Sequence, residues 1–332
     1  MRIATVTLSL ASLAIGAQVE QVARQVNLVE PFAVDFGGNG DWYICEHKGE
    51  RIMRVDRAGN ASLLAGTGTA GNSGDGGPAA AATLRDPHGI AITKDGRMYI
   101  ADMLNHTIRR IDLKTRVITT VAGTGEKGFA GDGGPASKAA FNGTFAIALN
   151  AAHDRLYVVD LVNRRVRVID LKSGIINTVA GNGESGVPPD GSDATKSPLV
   201  DPRAVAVDSK GNVYILERRG NALRVVDRQG KIRTLIGPGS ISPDLNGPKH
   251  LCIDKRDNVI IADAENHLIR RYDPKTGKTV TIAGTGENGT RIDAADPLRT
   301  QLNRPHGVTV DRSGVLYISD SYNHRILKVS GY

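Results

Sequence analysis

The chain has 332 residues, a formal net charge of +7, 39 glycines and only 4% aromatic residues. That composition excludes a long-helix or coiled-coil architecture and favours short strands joined by tight turns, while the length allows a sizeable core. Cys45 and Cys252 stand alone in apolar runs without metal-binding spacing, so they are expected to be free buried thiols, and a disulfide scaffold is excluded. The basic balance admits an acidic partner without identifying one.

Residues 3–17, IATVTLSLASLAIGA, follow Arg2 and end in small residues, which reads as a secretory signal, and the stretch is too short to span a membrane. An extracytoplasmic location is expected if residues 1–17 are removed, a cytoplasmic one if they remain. Beyond them the chain repeats, and a period of this size decides the fold. An acid recurs at Glu46, Asp102, Asp160, Glu217, Asp263 and Asp320, at intervals of 56, 58, 57, 46 and 57. Three residues later stand Gly49, Asn105, Asn163, Gly220, Asn266 and Asn323, the two residue types that accept positive φ most cheaply, so a tight turn is predicted with that residue left-handed. Three residues before the acid come Tyr43, Tyr99, Tyr157, Tyr214, Ile260 and Tyr317, inside runs such as RMYIAD that favour strand. Each unit thus holds a strand such as GIAIT, a hairpin such as KDGR, the acid-bearing strand, the turn, a returning strand and a fourth strand such as ITTVAG.

Six such units without helical crossovers predict an all-β, six-bladed propeller of four-stranded antiparallel blades. One domain is expected over 18–332, with blades near 31–68, 87–125, 144–183, 202–239, 248–286 and 305–332. The last blade ends after its third strand, so its fourth is expected from the N-terminus. Counting back 21 residues from Pro31, as at most other junctions, reaches Leu10 in VTLSL. Removal of 1–17 would leave closure to residues near Val19 to Val26.

The turn Asn266-His267-Leu268 spells the motif for which NHL repeats are named, and acid, turn residue, Tyr and closing Asp recur in register from about residue 30 to 332. The chain therefore resembles the NHL-repeat propellers, in particular bacterial ones with GTGxxGxxGDGGPA interblade loops. Family membership implies a fold and leaves the chemistry to the site. The G-x-G-x-x-G runs beginning at Gly66, Gly123, Gly181 and Gly284 follow a strand but open no helix, so they read as turns and not as a dinucleotide fingerprint. Asp75 and Asp132 in GDGG are read as Asx-turn residues, with calcium ligation by loop carbonyls as the weaker alternative.

In an up-and-down blade the long loops and the acid-headed turns share one face, which is where function is expected. The innermost strand starts after Pro31, Pro87, Thr144, Pro202, Pro248 or Pro305, and the residue facing the channel mouth there is Phe32, His88, Phe145, Arg203, Lys249 or His306, with His250 adjacent. This ring suits a ligand with an apolar body and an anionic end held by Arg203 and Lys249; the alternative is pairing with neighbouring acids and water. Peptidyl-hydroxyglycine amidating lyases are similar propellers whose zinc is held by three P-H histidines in alternate blades. Here Pro87-His88 and Pro305-His306 match, but Pro202-Arg203 puts a permanent cation in the third place. A lactonase-type site needs a carboxylate-held metal, and this ring has no acid.

The expected function is a binding or scaffold module for a protein, glycan or small anionic ligand; a lyase or lactonase-type hydrolase at the mouth is the alternative. No cofactor is expected, with Zn2+ or Ca2+ as the weaker alternative. Histidines 106, 267 and 324 read as surface turn residues, and the paired arginines, such as Arg109/Arg110 and Arg270/Arg271, as partners of nearby aspartates. Scarce aromatics make nucleic-acid binding a poor fit. A monomer without a membrane span is expected.

Overall fold

The computed structural model describes residues 16–238 and 244–332. It is an all-β propeller of six antiparallel sheets, each with four strands, one of them extended by the two-residue strand Ser192–Asp193. The innermost strands are Pro31–Phe36, Pro87–Ile92, Thr144–Leu149, Pro202–Val207, His250–Ile253 and Gly307–Val310. Each sheet is flanked by two others, so its strands carry apolar residues on both faces. Ile44, Ile100, Val158, Ile215, Ile261 and Ile318, two places before each recurring acid, are all fully buried, and each contributes about 1.5–3 kcal/mol of burial. The tyrosines one place earlier point to the opposite face, as the strand period of two requires.

The fourth place in the last blade belongs to Gln18–Val22, which pairs antiparallel with Arg325–Ser330 and sets Val19 opposite Val329. This strand lies later in the chain than the count to Leu10 predicts, because the link 23–30 is much shorter than the Gly-rich loop at the other junctions. VTLSL itself lies outside the described residues. The loop before the last blade reaches this strand, with Val19 N–H donating to the Ala294 carbonyl at 3.0 Å.

Other Gly-rich loops latch onto the outer strand of the following blade in the same way: Gly76 N–H donates to the Ile118 carbonyl and Gly133 N–H to that of Ile176, both at 2.8 Å. Here Asp75 and Asp132 find their use. Asp75 binds Arg109 at 2.7 Å and the Thr120 N–H at 2.9 Å, while Asp132 takes Arg167 at 2.6 Å and the Thr178 hydroxyl at 2.6 Å. Both carboxylates thus bind groups of the following blade.

The recurring acids are fully buried in all six blades. Each accepts the N–H of a residue 17 or, in the third blade, 18 places earlier, from Val29, Arg85, Asn142, Val200, Asn246 and Asn303, at 2.5–2.8 Å. Their charge is met by arginines of the returning strand, among them Arg51, Arg224, Arg270 and Arg325. The left-handed residue is not the Asn or Gly but the one after it: Glu50, His106, Arg164, Asn221, His267 and His324 have φ of 45–56°. The turn Asn instead donates its amide to the acid, as Asn105 does to Asp102 at 2.8 Å.

Glycine replaces Asn in the two turns headed by Glu. A Cβ on Gly49 would stand 2.9 Å from Glu46 Cβ, and one on Gly220 2.8 Å from Glu217 Oε2, because the longer acid folds back over this position. Gly220→Asn is therefore expected to cost about 1–3 kcal/mol by overpacking. Adding Glu217→Asp recreates the Asp–Asn pairing of four other turns and should recover at least half of that loss, read as a coupling in a urea-denaturation double-mutant cycle. Additive losses would contradict the pairing.

Candidate functional site

Backbone irregularities aim the residues at the mouth. The register between the two inner strands slips at Pro31/Ala33, Pro87/Gly89, Thr144/Ile147 and Pro202/Ala204, leaving Phe32, His88, Phe145 and Arg203 on β-bulges. Bulges redirect side chains in this way. Lys249 and His306 take the same place just ahead of their strands, with their N–H groups bonded to Ala262 and Ser319 carbonyls at 3.0 Å. Five of the six residues before the ring, Glu30, Asp86, Gly143, Gly247 and Arg304, have φ of 44–83°. Close approach tightens the throat further: a Cβ on Gly307 would stand 1.8 Å from the Phe32 carbonyl oxygen.

Phe32 closes the channel and is 2% exposed. Its ring lies 4.8 Å from His88, 5.6 Å from Phe145, 5.5 Å from His306 and 6.0 Å from His47 between centroids. Phe32 and Phe145 thus make a floor and not open walls. His250 was expected with the mouth residues, but it starts the strand proper, binds the Val308 carbonyl through Nδ1 at 3.1 Å and turns into the channel beneath. There it lines a cavity of about 250 Å3 together with Asp35, Cys252 and His153. The Asp35 carboxyl is pushed up to about 6 by burial, against hydrogen bonds from the Phe36 and Ile92 N–H groups. Both cysteines are free; Cys45 is buried and Cys252 half-buried.

The floor divides two chemically different sides. Over blades four to six lie Arg203, Arg218, Arg219, Lys249 and Arg304, whose nearby carboxylates are Asp201 and Glu265. The Arg203 guanidinium sits 4.5 Å over the Phe145 ring, its Nε 3.6 Å from Asp201 and without a hydrogen bond among the described residues. Lys249 has no carboxylate within ion-pair distance among the described residues. Burial, then the Arg218 and Arg203 charges, lower its ammonium to about 8.

The other side carries imidazoles and acids of blades six, one and two. His47 is bracketed by Glu30 at 3.0 Å on Nε2 and Asp86 at 3.1 Å on Nδ1. His88 Nδ1 donates to the Asp86 carbonyl oxygen at 2.8 Å. Both nitrogens of His306 are buried without a partner among the described residues. Burial lowers His88 to about 3 and His306 to about 2, so both are neutral near pH 7.

The sequence reading missed His47 and the acids before the inner strands. Its available signal was the residue following each buried acid: His47, Met103, Leu161, Arg218, Ala264 and Ser321. Those positions rim the mouth, and around Gly143 they gather Met103, Leu161 and Val162, each 3.8 Å from where a Cβ would stand. The outer neighbours Leu104 and Val162 are 44% and 55% exposed. His106, read as a surface turn residue, is buried instead. Its Nδ1 accepts the Gly143 N–H at 3.0 Å, as His267 accepts from Arg304 at 3.2 Å and His324 from Glu30 at 3.1 Å, so the three tie adjacent blades together.

Comparison with known proteins agrees with this architecture. The family model of the teneurin NHL domain matches residues 60–128 and 173–244, and that of the NHL repeat matches residues 302–329. NHL repeat-containing protein 2 of Gallus gallus is 26% identical over 284 residues, covering 74% of this chain and 39% of the relative. The chain thus spans about two fifths of the length of that curated relative. Among solved structures, a protein of unknown function from Bacteroides thetaiotaomicron aligns with TM-score 0.69 at 15% identity over 94% of this chain and 75% of that one. A streptogramin B lyase aligns with TM-score 0.59 at 13% identity over 96% and 99%. Likeness at such identity is one of fold alone. The chain is an NHL-repeat protein, its repeats closed into a six-bladed propeller.

Proposed function

We propose that the chain is a binding module whose loop-face mouth holds a ligand with an anionic end and an apolar body. The observation that carries this reading is the charge imbalance over blades four to six, where five cations share Asp201 and Glu265. Of the five, Arg203 and Lys249 are the recessed ones, and a recessed cation with incomplete counter-charge is costly in the free protein and becomes favourable when an anion enters. Arg203 offers a planar fork and Lys249 a point charge to the anion. Met103, Leu104 and Val162 offer the apolar body an accessible surface beside them. A small ligand would meet these cations through its anionic end; an acidic protein or glycan would dock on the same face with one charged group reaching them. The second reading, a lyase or lactonase-type hydrolase, has in its favour the imidazole and carboxylate groups on the opposite side of the mouth.

Phenyl phosphate, which joins an apolar ring to an anion, probes the reading directly. Calorimetry is expected to show it binding more tightly than inorganic phosphate, and Arg203→Ala should weaken it about 10–100-fold, as loss of a charged hydrogen bond does. Binding untouched by that substitution would overturn the assignment. Its pH dependence follows from Lys249: an ammonium lowered to about 8 is lost as pH rises from 7 to 9, where an ordinary lysine at 10.5 would remain charged. Affinity should fall across that window, and Lys249→Arg should flatten the profile.

Stability should move the opposite way. Arg203→Met removes a half-compensated buried cation, so it is expected to stabilise the free protein by about 0.5–2 kcal/mol while abolishing anion binding. Thermal unfolding in ligand-free buffer checks this; destabilisation would mean that Arg203 serves the fold.

A further inference from the structure

The side of the mouth opposite the cations has the features of a metal site. One donor atom each from His47, Asp86 and His88 lie within 4.8 Å of one another. His47 Nδ1 is 3.1 Å from an Asp86 oxygen, close to the roughly 3.4 Å that separates two ligands around a tetrahedral zinc with bonds near 2.1 Å. The second nitrogens are already committed. His47 Nε2 meets Glu30 at 3.0 Å, and His88 Nδ1 meets the Asp86 carbonyl at 2.8 Å. Carboxylate and carbonyl acceptors of this kind fix the tautomer of metal-binding histidines and turn the remaining lone pair to the ion. His88 Nε2 has no hydrogen-bond partner among the described residues.

A separate observation points the same way. His306, 6% exposed, leaves both ring nitrogens without a hydrogen bond among the described residues. Its centroid lies 6.2 Å from that of His47. Pairing of His47 with two carboxylates explains the first group of contacts as a plain hydrogen-bond clamp, but it leaves the two buried His306 nitrogens unexplained. A cation between these rings accounts for both observations.

We propose that His47, Asp86 and His88 bind a divalent first-row transition-metal ion such as Zn2+ at the channel mouth, with His306 facing the ion as a further donor and Glu30 orienting His47. Two or three imidazoles with one carboxylate suit zinc, cobalt or nickel and are a poor set for calcium or magnesium, which prefer oxygen. The three residues and His306 come from the contiguous blades six, one and two, unlike the alternate-blade set that the P-H motifs imply. Arg203, in blade four, takes no place in this set, although its charge reaches His88. The assignment stands apart from the anion reading, as it uses none of the cationic residues.

The test uses untagged full-length chain stripped with a chelator, dialysed, and titrated with Zn2+ by calorimetry and with Co2+ by visible absorption. One equivalent of each is expected, with an absorption band of imidazole-bound Co2+. His88→Gln and Asp86→Asn should each weaken Zn2+ by more than about 100-fold, and Glu30→Gln by about 10–100-fold. His153→Asn, in the cavity beneath, should leave it unchanged. Circular dichroism checks that each variant is folded, and His47→Gln stands in where one fails. Absence of stoichiometric binding, or binding that survives these substitutions, overturns the site. Phenyl phosphate titration of the stripped protein tests the anion reading separately.

Discussion

A carboxylate sealed from water at the head of each turn is the contact on which the mouth depends. In all six blades it is fully buried, and in each it accepts an N–H from the segment entering the innermost strand. One charge therefore ties together the turn, the entering loop and, through Arg51, Arg224, Arg270 or Arg325, the returning strand. Stranding such an arginine without its partner costs about 3–5 kcal/mol. The pattern is thus fixed by energy, and the residue just after each acid is left free to vary.

That division explains what could be read from the chain. Blade number, strand order and the functional face follow from spacing, because the acid, the turn residue and the apolar position two before the acid are required in every blade. The ring from Phe32 to His306 was legible for the same reason: it holds one place in the repeat. What varies between blades was not legible. His47 sits at a position that is Met, Leu, Arg, Ala or Ser elsewhere, so its place after the acid, and no shared residue type, was all that marked it. Asp86 and Glu30 were passed over because the left-handed backbone before the inner strand, which turns them to the mouth, has no residue signature in common.

Other differences have local causes. Asn was expected to hold the left-handed φ, yet its amide is worth more as a donor to the buried acid, and the strain passes to the next residue. His250 looks into the channel because it lies one residue along a pleated strand from Lys249. The closing strand begins later than the repeat count gives, since the link after Val22 needs no Gly-rich loop to reach Pro31.

The mouth that results is uneven by construction. Phe32 seals it from the cavity below, cations crowd one side, apolar turn residues a second, and imidazoles with acids a third. Its central feature is positive charge held in a recess with too little counter-charge, and the Lys249 ammonium reports that directly. NMR titration of the Lys249 side chain, labelled with carbon-13, should give a midpoint near 8 in the free protein and a higher one with phenyl phosphate bound. A midpoint near that of an exposed lysine, unmoved by the anion, would contradict the account.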